Sequence, residues 1–577
     1  MFLSHAGTQS KGQQTLPLAR PQPCVGAPIP QVPRTTGRRR PTLLSGGHAM
    51  KALALLGRNQ PLISRTSPSL NVNGAAVAGS ETELALLTHG FFDRYDIVVP
   101  TLQKSLLESY HNELLGAGVD MSRVRLVLPG VLAESLSTTD YIAVHDPQSP
   151  YIGRLAAMVH PVTPHPTPCT CVHFSISYGS LYPVFADACC GIATEYDAMF
   201  CTSRDSCDAQ RNIYSQLCSA YGLPGGAWNH RLELHPLGVN WDAFYPRIAR
   251  KEARRLLGLP RDGTWITYVG RMTDVDKADL RILIRCLARL QTQAEPDPLY
   301  LLLAGADRGY SRVVREYAAR LGVGDRLFVL GNITPLEKTL VLWASDIFTS
   351  PADSVQESFG IAVVEAMSAG LPVVVSDWGG YRDIVQDGDG YLIHTASAAC
   401  MADIDVQAEM GLPELDHLPM SQAVVVDETQ LAMALGQLAR DQALRVTMGN
   451  EGRRHAQRFD WRQVVAQYEE SWMNLKSMAR GASRLTQRRV SLGRAFAHYP
   501  SRMITGDDRV RLAATTWPQM EPPPALAHLW PREVRMRIVR HLHRGEAMVR
   551  EVATSQLETR CLLWLAKHGV VEICAAV

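Results

Sequence analysis

From Met50 onward, short apolar runs alternate with longer stretches in which apolar residues return at helical spacing. Met50–Leu56, Tyr95–Val99, Val124–Leu128, Tyr141–Val144, Thr170–Phe174 and Ala198–Thr202 read as strands, and a polar helix follows across Arg204–Ala220. A tight loop is expected around Asn71–Gly79, where Gly74 and Gly79 admit a turn. Alternation of this kind predicts a parallel sheet covered by helices. Past Pro246 the series restarts with a charged helix, Arg247–Leu257. Strands are expected at Trp265–Val269, Leu299–Ala304, Leu327–Leu330, Ile347–Thr349 and Pro372–Ser376. Helices are expected at Asp279–Gln291, Tyr310–Arg320, Glu337–Ala344 and Ile361–Ser368. After about residue 396 the pattern turns helical: Glu428–Arg440, Gln442–Gly449 and Trp461–Lys476, the last able to cross back to the first half. Two doubly wound halves in series leave a ligand-sized crevice between them, at the C-terminal ends of their strands.

The flanks read differently. Residues 1–49 hold seven prolines, six Lys/Arg and no acidic residue, the pattern of a disordered basic leader. Arg38-Arg39-Arg40 lacks the compact apolar block of a secretory signal, and Met50 stands beside Met1 as a start. Residues 484–490 are basic and Trp517–Pro531 is rich in proline. Glu533–Lys567 regains helical spacing before a short strand at Val570–Ile573, which fits a small helical or winged-helix-like extension. The expected organisation is therefore leader 1–49, first Rossmann-like domain 50–246, second Rossmann-like domain with closing helices 247–478, and linker plus extension 479–577.

Charge and cysteines narrow the class. At 577 residues the chain is too long for one core, and its net charge of +2 gives no reason to expect a nucleic-acid partner. No run of about 18 apolar residues occurs, so a spanning helix is not expected, and peripheral membrane contact stays open. Seven of the 12 cysteines fall between Cys169 and Cys218, yet none forms a C-x-x-C pair. Buried thiols in a reducing, cytoplasmic compartment account for them better than zinc or a disulfide framework.

The most informative stretch runs Glu357-Ser358-Phe359-Gly360-Ile361-Ala362-Val363-Val364-Glu365-Ala366-Met367. A polar turn enters a helix there, so unpaired first-turn amides near Gly360 can receive a phosphate or a sugar hydroxyl. Glu365 sits within an apolar run, where a carboxylate needs a partner. Upstream, Gly270-Arg271 and Lys277 follow a strand and offer cations to a developing negative charge. In the first half, His145-Asp146 and His173 each end a strand.

This stretch resembles the Glu-x7-Glu region of the retaining GT-B glycosyltransferases of family 4, the glycosyl transferases group 1. The resemblance covers about residues 50–475 and is strongest from 265 to 395. It implies a GT-B fold, with two Rossmann-like domains facing across a cleft and a small mostly helical C-terminal extension outside the match. It implies Glu357 beside the transferred sugar, Glu365 on the ribose hydroxyls, and the backbone of Ser358, Phe359 and Gly360 lining the donor. Arg271 and Lys277 would hold the diphosphate, His173 would lie by the donor sugar, and His145 is the weaker histidine candidate. Arg204 matches an architectural strand-to-helix segment, Gly379-Gly380 reads as a turn, and Asp383 stands near the family's following acid.

The implied reaction moves a hexosyl group from a nucleoside diphosphate sugar to a hydroxyl with retention. The expected partners are the nucleotide-sugar donor and a carbohydrate, lipid-linked or small-molecule acceptor. No metal is expected, because no Asp-x-Asp motif stands at a strand end. An epimerase or phosphorylase on the same scaffold, and a glycosidase using the two glutamates, are the enzyme rivals. A catalytically degenerate nucleotide-sugar-binding or scaffold protein is the other reading.

Overall fold

The computed structural model describes residues 50–56, 74–99, 104–174, 176–275, 277–291, 298–397, 418–483, 501–513, 521–522, 527 and 529–574. The expected leader 1–49, the basic run 484–490 and most of Trp517–Pro531 lie outside the described residues.

The first lobe is built on β1 (Ala52–Leu56), α1 (Gly74–His89), β2 (Arg94–Val98), α2 (Lys104–Gly116), β3 (Val124–Val127), α3 (Pro129–Thr138) and β4 (Tyr141–Asp146). It continues through α4 (Ile152–Val159), β5 (Cys169–His173), α5 (Tyr182–Ala188), β6 (Ala198–Cys201), α6 (Arg204–Ala220) and β7 (Arg231–Leu234). The seven strands are all parallel, in the order β3-β2-β1-β4-β5-β6-β7. Every residue of β5 and β6 is buried, which is why these central strands read as unbroken apolar runs. The loop expected around Asn71–Gly79 is instead the start of α1 from Gly74 onward. Gly79 serves close packing there: a Cβ on it would lie 3.0 Å from Gln148 Cγ and 3.1 Å from the Pro147 carbonyl oxygen. At the start of α6, Ser203 and Ser206 cap each other reciprocally, fixing where the chain leaves β6.

The second lobe repeats the plan. Its elements are α7 (Arg250–Leu256), β8 (Thr264–Val269), α8 (Arg281–Gln291), β9 (Leu299–Gly305), α9 (Tyr310–Arg320), β10 (Leu327–Gly331) and α10 (Pro335–Ala344). They are followed by β11 (Ile347–Ser350), α11 (Ile361–Ser368), β12 (Val373–Ser376), α12 (Tyr381–Ile384) and β13 (Gly390–Ile393). The sheet order is β10-β9-β8-β11-β12-β13, again wholly parallel. On α8 the buried Leu283, Leu287 and Leu290 form the stripe that covers one face of this sheet. The part expected to be purely helical also carries an antiparallel pair, β14 (Thr395–Ser397) with β15 (Val424–Val426).

Closing helices follow: α13 (Glu428–Arg440), α14 (Gln442–Ala456) and α15 (Trp461–Ala479). Asp460 caps α15, accepting the Arg462 amide at 2.9 Å. This helix crosses back onto the first lobe. Trp472 is fully buried and its Nε1 donates to Thr170 Oγ1 at 2.9 Å, while Lys476 reaches Asp140 at 2.6 Å. Glu469 accepts the Phe91 amide at 2.6 Å, and burial raises its carboxyl to about 7.

The extension has its own apolar core, including Ile538, Leu542, Leu562 and Leu565. Alongside α16 (Arg532–Leu542), α17 (Val549–Val552) and α18 (Gln556–Lys567) it holds a three-stranded antiparallel sheet. The strands are β16 (Arg509–Leu512), β17 (Ala547–Met548) and β18 (Val571–Cys574), in the order β17-β16-β18. Among the described residues no helix is long and apolar enough to cross a membrane.

Candidate active site

The loop from β11 to α11 occupies the C-terminal edge of the second sheet, and it carries Glu357, Ser358, Phe359 and Gly360. Gly360 is left-handed at φ 116°, and a Cβ there would come within 2.5 Å of the Tyr381 ring. Both constraints select glycine. Behind the loop lies the Gly379-Gly380 turn, whose missing side chains admit the backbone of Glu357–Phe359. A Cβ on Gly379 would meet the Glu357 carbonyl at 2.5 Å, and one on Gly380 would meet Phe359 Cα at 2.4 Å. Expected only as a turn, the pair is also the support against which the loop is pressed.

Glu357 is buried, and Lys277, partly exposed, makes an ion pair with its Oε2. The Tyr381 hydroxyl donates to the same oxygen at 3.2 Å and is 2.7 Å from Ser350 Oγ. Complete burial and the neighbouring Glu357 charge push the Tyr381 phenol well above its ordinary range, so it stays protonated and able to donate. Trp378 Nε1 donates to the Ser354 carbonyl at 2.9 Å, tying the start of the loop to the glycine turn. Glu365 lies buried on α11 and pairs with Lys338 of α10, not with anything that Glu357 touches. The two acids of the Glu-x7-Glu stretch thus have separate cationic partners. Arg271 follows β8, and its carbonyl accepts from the Tyr268 hydroxyl at 2.9 Å.

The loop also reaches the first lobe. Ser358 Oγ donates to the Phe174 carbonyl at 3.0 Å, and Thr202 Oγ1 donates to the Ser358 carbonyl at 3.1 Å. Arg204 donates its amide to Asp383 at 2.6 Å and pairs with it through the guanidinium, while Arg382 reaches Asp205 at 2.9 Å. Arg204 and Asp383 therefore form a bond between lobes. His173, the residue before Phe174, is fully buried at the end of β5. Both its ring nitrogens lack a hydrogen-bond partner among the described residues, and burial depresses the imidazole to about 4. It is therefore neutral at pH 7, with a donor and an acceptor still to satisfy.

His145, the weaker histidine candidate, lies near the end of β4. It is fully buried against Trp472, Phe200 and Tyr468, with Nδ1 2.9 Å from Thr170 Oγ1. Helix α15 covers it, so it is a core residue of the lobe contact. Sequence reasoning also passed over Tyr381, Lys338 and the buried Asp353. Tyr381 had a signal, since it follows directly on the glycine pair.

Among the described residues one group of potential metal ligands has donor atoms within 4.8 Å of one another: His160, Cys169 and Asp197. It lies at the N-terminal ends of β5 and β6, the opposite edge from the Glu357 loop. Asp197 already accepts from His160 Nε2, the Cys169 amide and the Thr194 amide and hydroxyl, so it is spoken for structurally.

Two doubly wound parallel lobes, joined by a returning helix and meeting at the C-terminal edges of their sheets, define the GT-B architecture. Residues 249–404, within the second lobe, match the family model for glycosyl transferases group 1. The chain is similar to a D-inositol 3-phosphate glycosyltransferase of Corynebacterium aurimucosum, 30% identical over 42% of this chain and 51% of the relative. It is also similar to a phosphatidyl-myo-inositol mannosyltransferase of Mycobacterium tuberculosis, 34% identical over 29% of this chain and 42% of the relative. The chain spans about half the length of the curated relatives it matches. Among solved structures, a sucrose-phosphate synthase from Thermosynechococcus elongatus shares the fold. It has a TM-score of 0.50 and 18% identity over 74% of this chain and 100% of the other.

Proposed function

We propose that this protein is a retaining glycosyltransferase that moves a hexosyl group from a nucleoside diphosphate sugar to a hydroxyl acceptor. The observation that carries the reading is the buried Glu357 carboxylate, held by Lys277 and Tyr381 in a glycine-backed loop that also bonds to the lobe carrying His173. Lys277 supplies a mobile positive charge and Arg271 a fork of donors, and both act on the diphosphate as it leaves. An incoming diphosphate competes with Glu357 for Lys277, which frees the carboxylate to orient the sugar. Glu365 takes the ribose hydroxyls, and the backbone of Ser358, Phe359 and Gly360 lines the donor. His173, fully buried as it stands, meets the transferred sugar with its unsatisfied nitrogens once the end of β5 is uncovered. The departing phosphate oxygen accepts the acceptor's proton on the same face, which gives retention without a metal. Bonds between the lobes, such as Arg204 with Asp383, favour a closed cleft that keeps water from the donor.

In this reading residues 50–246 carry acceptor specificity, 247–478 hold the donor, and the segment from 479 is an appendage. The acceptor is a carbohydrate, a lipid-linked sugar or a small molecule, reached in the cytoplasm or at a membrane surface. The ten described cysteines, all free thiols, agree with a reducing compartment.

The test mixes the protein with UDP-, GDP- and ADP-sugars, with and without a lysate acceptor mixture, and follows nucleoside diphosphate release. Acceptor-stimulated release that disappears in Glu357→Gln supports the reading. Binding without release by a folded sample favours a non-catalytic sugar-nucleotide protein instead.

A further inference from the structure

Asp353 lies four residues before Glu357 in the loop that follows β11. It is only 7% exposed. Its Oδ2 accepts the backbone amide of Asp279 at 3.1 Å, and its Oδ1 is buried with no partner among the described residues. Asp279 lies two residues beyond Lys277, in the connection from β8 to α8. The connection is otherwise organised by Asp279 itself, which binds Arg281 at 2.8 Å and accepts from the Tyr310 hydroxyl at 3.1 Å. Asp274, in the same connection, approaches Arg281 at 3.4 Å. One carboxyl thus ties the segment bearing Lys277 to the loop bearing Glu357, and it does so next to the ion pair those two residues form.

We propose that Asp353 is a positioning residue of the donor site, seating the Lys277 segment through the Asp279 amide so that Lys277 faces the diphosphate. The role rests on the donor-site reading given above.

The surroundings set the charge that this tie carries. Among the described residues no cation is bonded to Asp353, while Asp279 and Asp274 both bring negative charge towards it. Arg281 is engaged by Asp279, and Lys277 by Glu357. Burial first, and the two aspartates after it, outweigh the Asp279 amide and raise the Asp353 carboxyl to about 7. Below that pH the group is neutral: Oδ2 accepts the amide and Oδ1 carries the proton. Above it, the carboxylate holds the Asp279 amide more strongly, but it is a buried negative charge that faces Asp279 and Asp274 and repels the diphosphate that Lys277 is to meet. Donor affinity therefore weakens as pH rises through about 7, with a limit of about tenfold per pH unit for one proton.

The experiment measures binding of UDP, GDP and ADP in turn by titration calorimetry at pH 6.5, 7.5 and 8.5. It compares the full-length wild type with Asp353→Asn and Asp353→Ala. Asn keeps an oxygen for the Asp279 amide and cannot ionise, so its affinity is expected to match the wild type at pH 6.5 and stay flat to 8.5. The wild type weakens over the same range. Ala loses the tie and binds about tenfold more weakly at pH 6.5. If Ala does not fold, the Asn profile alone decides. An alkaline loss kept by Asp353→Asn, or missing from the wild type, overturns the role of Asp353 and leaves the donor site intact. No binding of any nucleotide by folded wild type overturns the donor site itself, and this role with it.

Discussion

Gly380 offers a sharp separation of sterics from conformational preference. Its backbone sits at φ −62° and ψ −15°, ordinary right-handed space that alanine adopts freely. On dihedral grounds Gly380→Ala would therefore stabilise the fold by about 0.4–1 kcal/mol. The contacts say the reverse. The added methyl would lie 2.4 Å from Phe359 Cα and 2.6 Å from the carbonyl oxygens of Phe359 and Ser358. Carbon contacts settle near ~3.5 Å, so the Glu357–Gly360 loop must retreat by roughly 1 Å. These obstructing atoms are backbone and cannot swing aside. Overpacking of this kind costs about 1–3 kcal/mol, and a misplacement of about 1 Å among positioning groups costs on the order of 100-fold in rate. Urea unfolding and kcat/KM with the donor that gives turnover are the assays. Gly116→Ala is the control, because that glycine ends α2 with no atom within 4 Å of its added Cβ. The expected result is a stable, fully active Gly116→Ala beside a destabilised Gly380→Ala with kcat/KM lowered about 100-fold. A Gly380→Ala protein with wild-type stability and turnover would refute the view that this turn backs the Glu357–Gly360 loop.

Trp472→Ala removes a fully buried side chain from the lobe contact and should cost about 3–5 kcal/mol in urea unfolding; a loss under about 1 kcal/mol would mean α15 is not the clamp described. Tyr381→Phe deletes the hydroxyl between Ser350 and Glu357, for an expected loss of about 1–3 kcal/mol in stability and about tenfold in kcat/KM, and unchanged values for both would remove Tyr381 from the site. Burial depresses His145 to about 3 and both His173 and His230 to about 4, so the stability they contribute is complete above their ordinary 6.5 and is lost as pH falls towards those values. Glu469, raised to about 7, acts in the opposite sense: its contribution is lost as pH rises through 7, so Glu469→Gln should steepen the acid loss between pH 5 and 6 by about 1.4 kcal/mol per pH unit. Unfolding free energies across that range that stay level in both proteins would contradict these assignments.

The central strands were legible because they are buried on both faces and so read as unbroken apolar runs, as in β5, β6 and β8. Several partly exposed strands were not. β7 is exposed at both ends and only half-buried between, β13 is only half-buried along most of its length, and β16 alternates arginine with apolar residues. The bounds of α6, α9, α11 and α13 were readable from caps and apolar stripes. In the site, Glu357 and Lys277 could be named because acid and cation stand in recognisable surroundings of their own. Tyr381, Lys338 and Asp353 act through partners that are distant in the chain or lie across a turn, and a local pattern does not carry that information. His145 failed for the same reason: the aromatic residues of α15 that enclose it come from the far end of the second lobe.

The most direct test of the whole account is a proton NMR time course of the anomeric signals, run with the donor that supports turnover and its acceptor. The account predicts a new glycoside whose anomeric configuration equals that of the donor, formed as the nucleoside diphosphate accumulates. An inverted product, or free sugar with no glycoside, would contradict it.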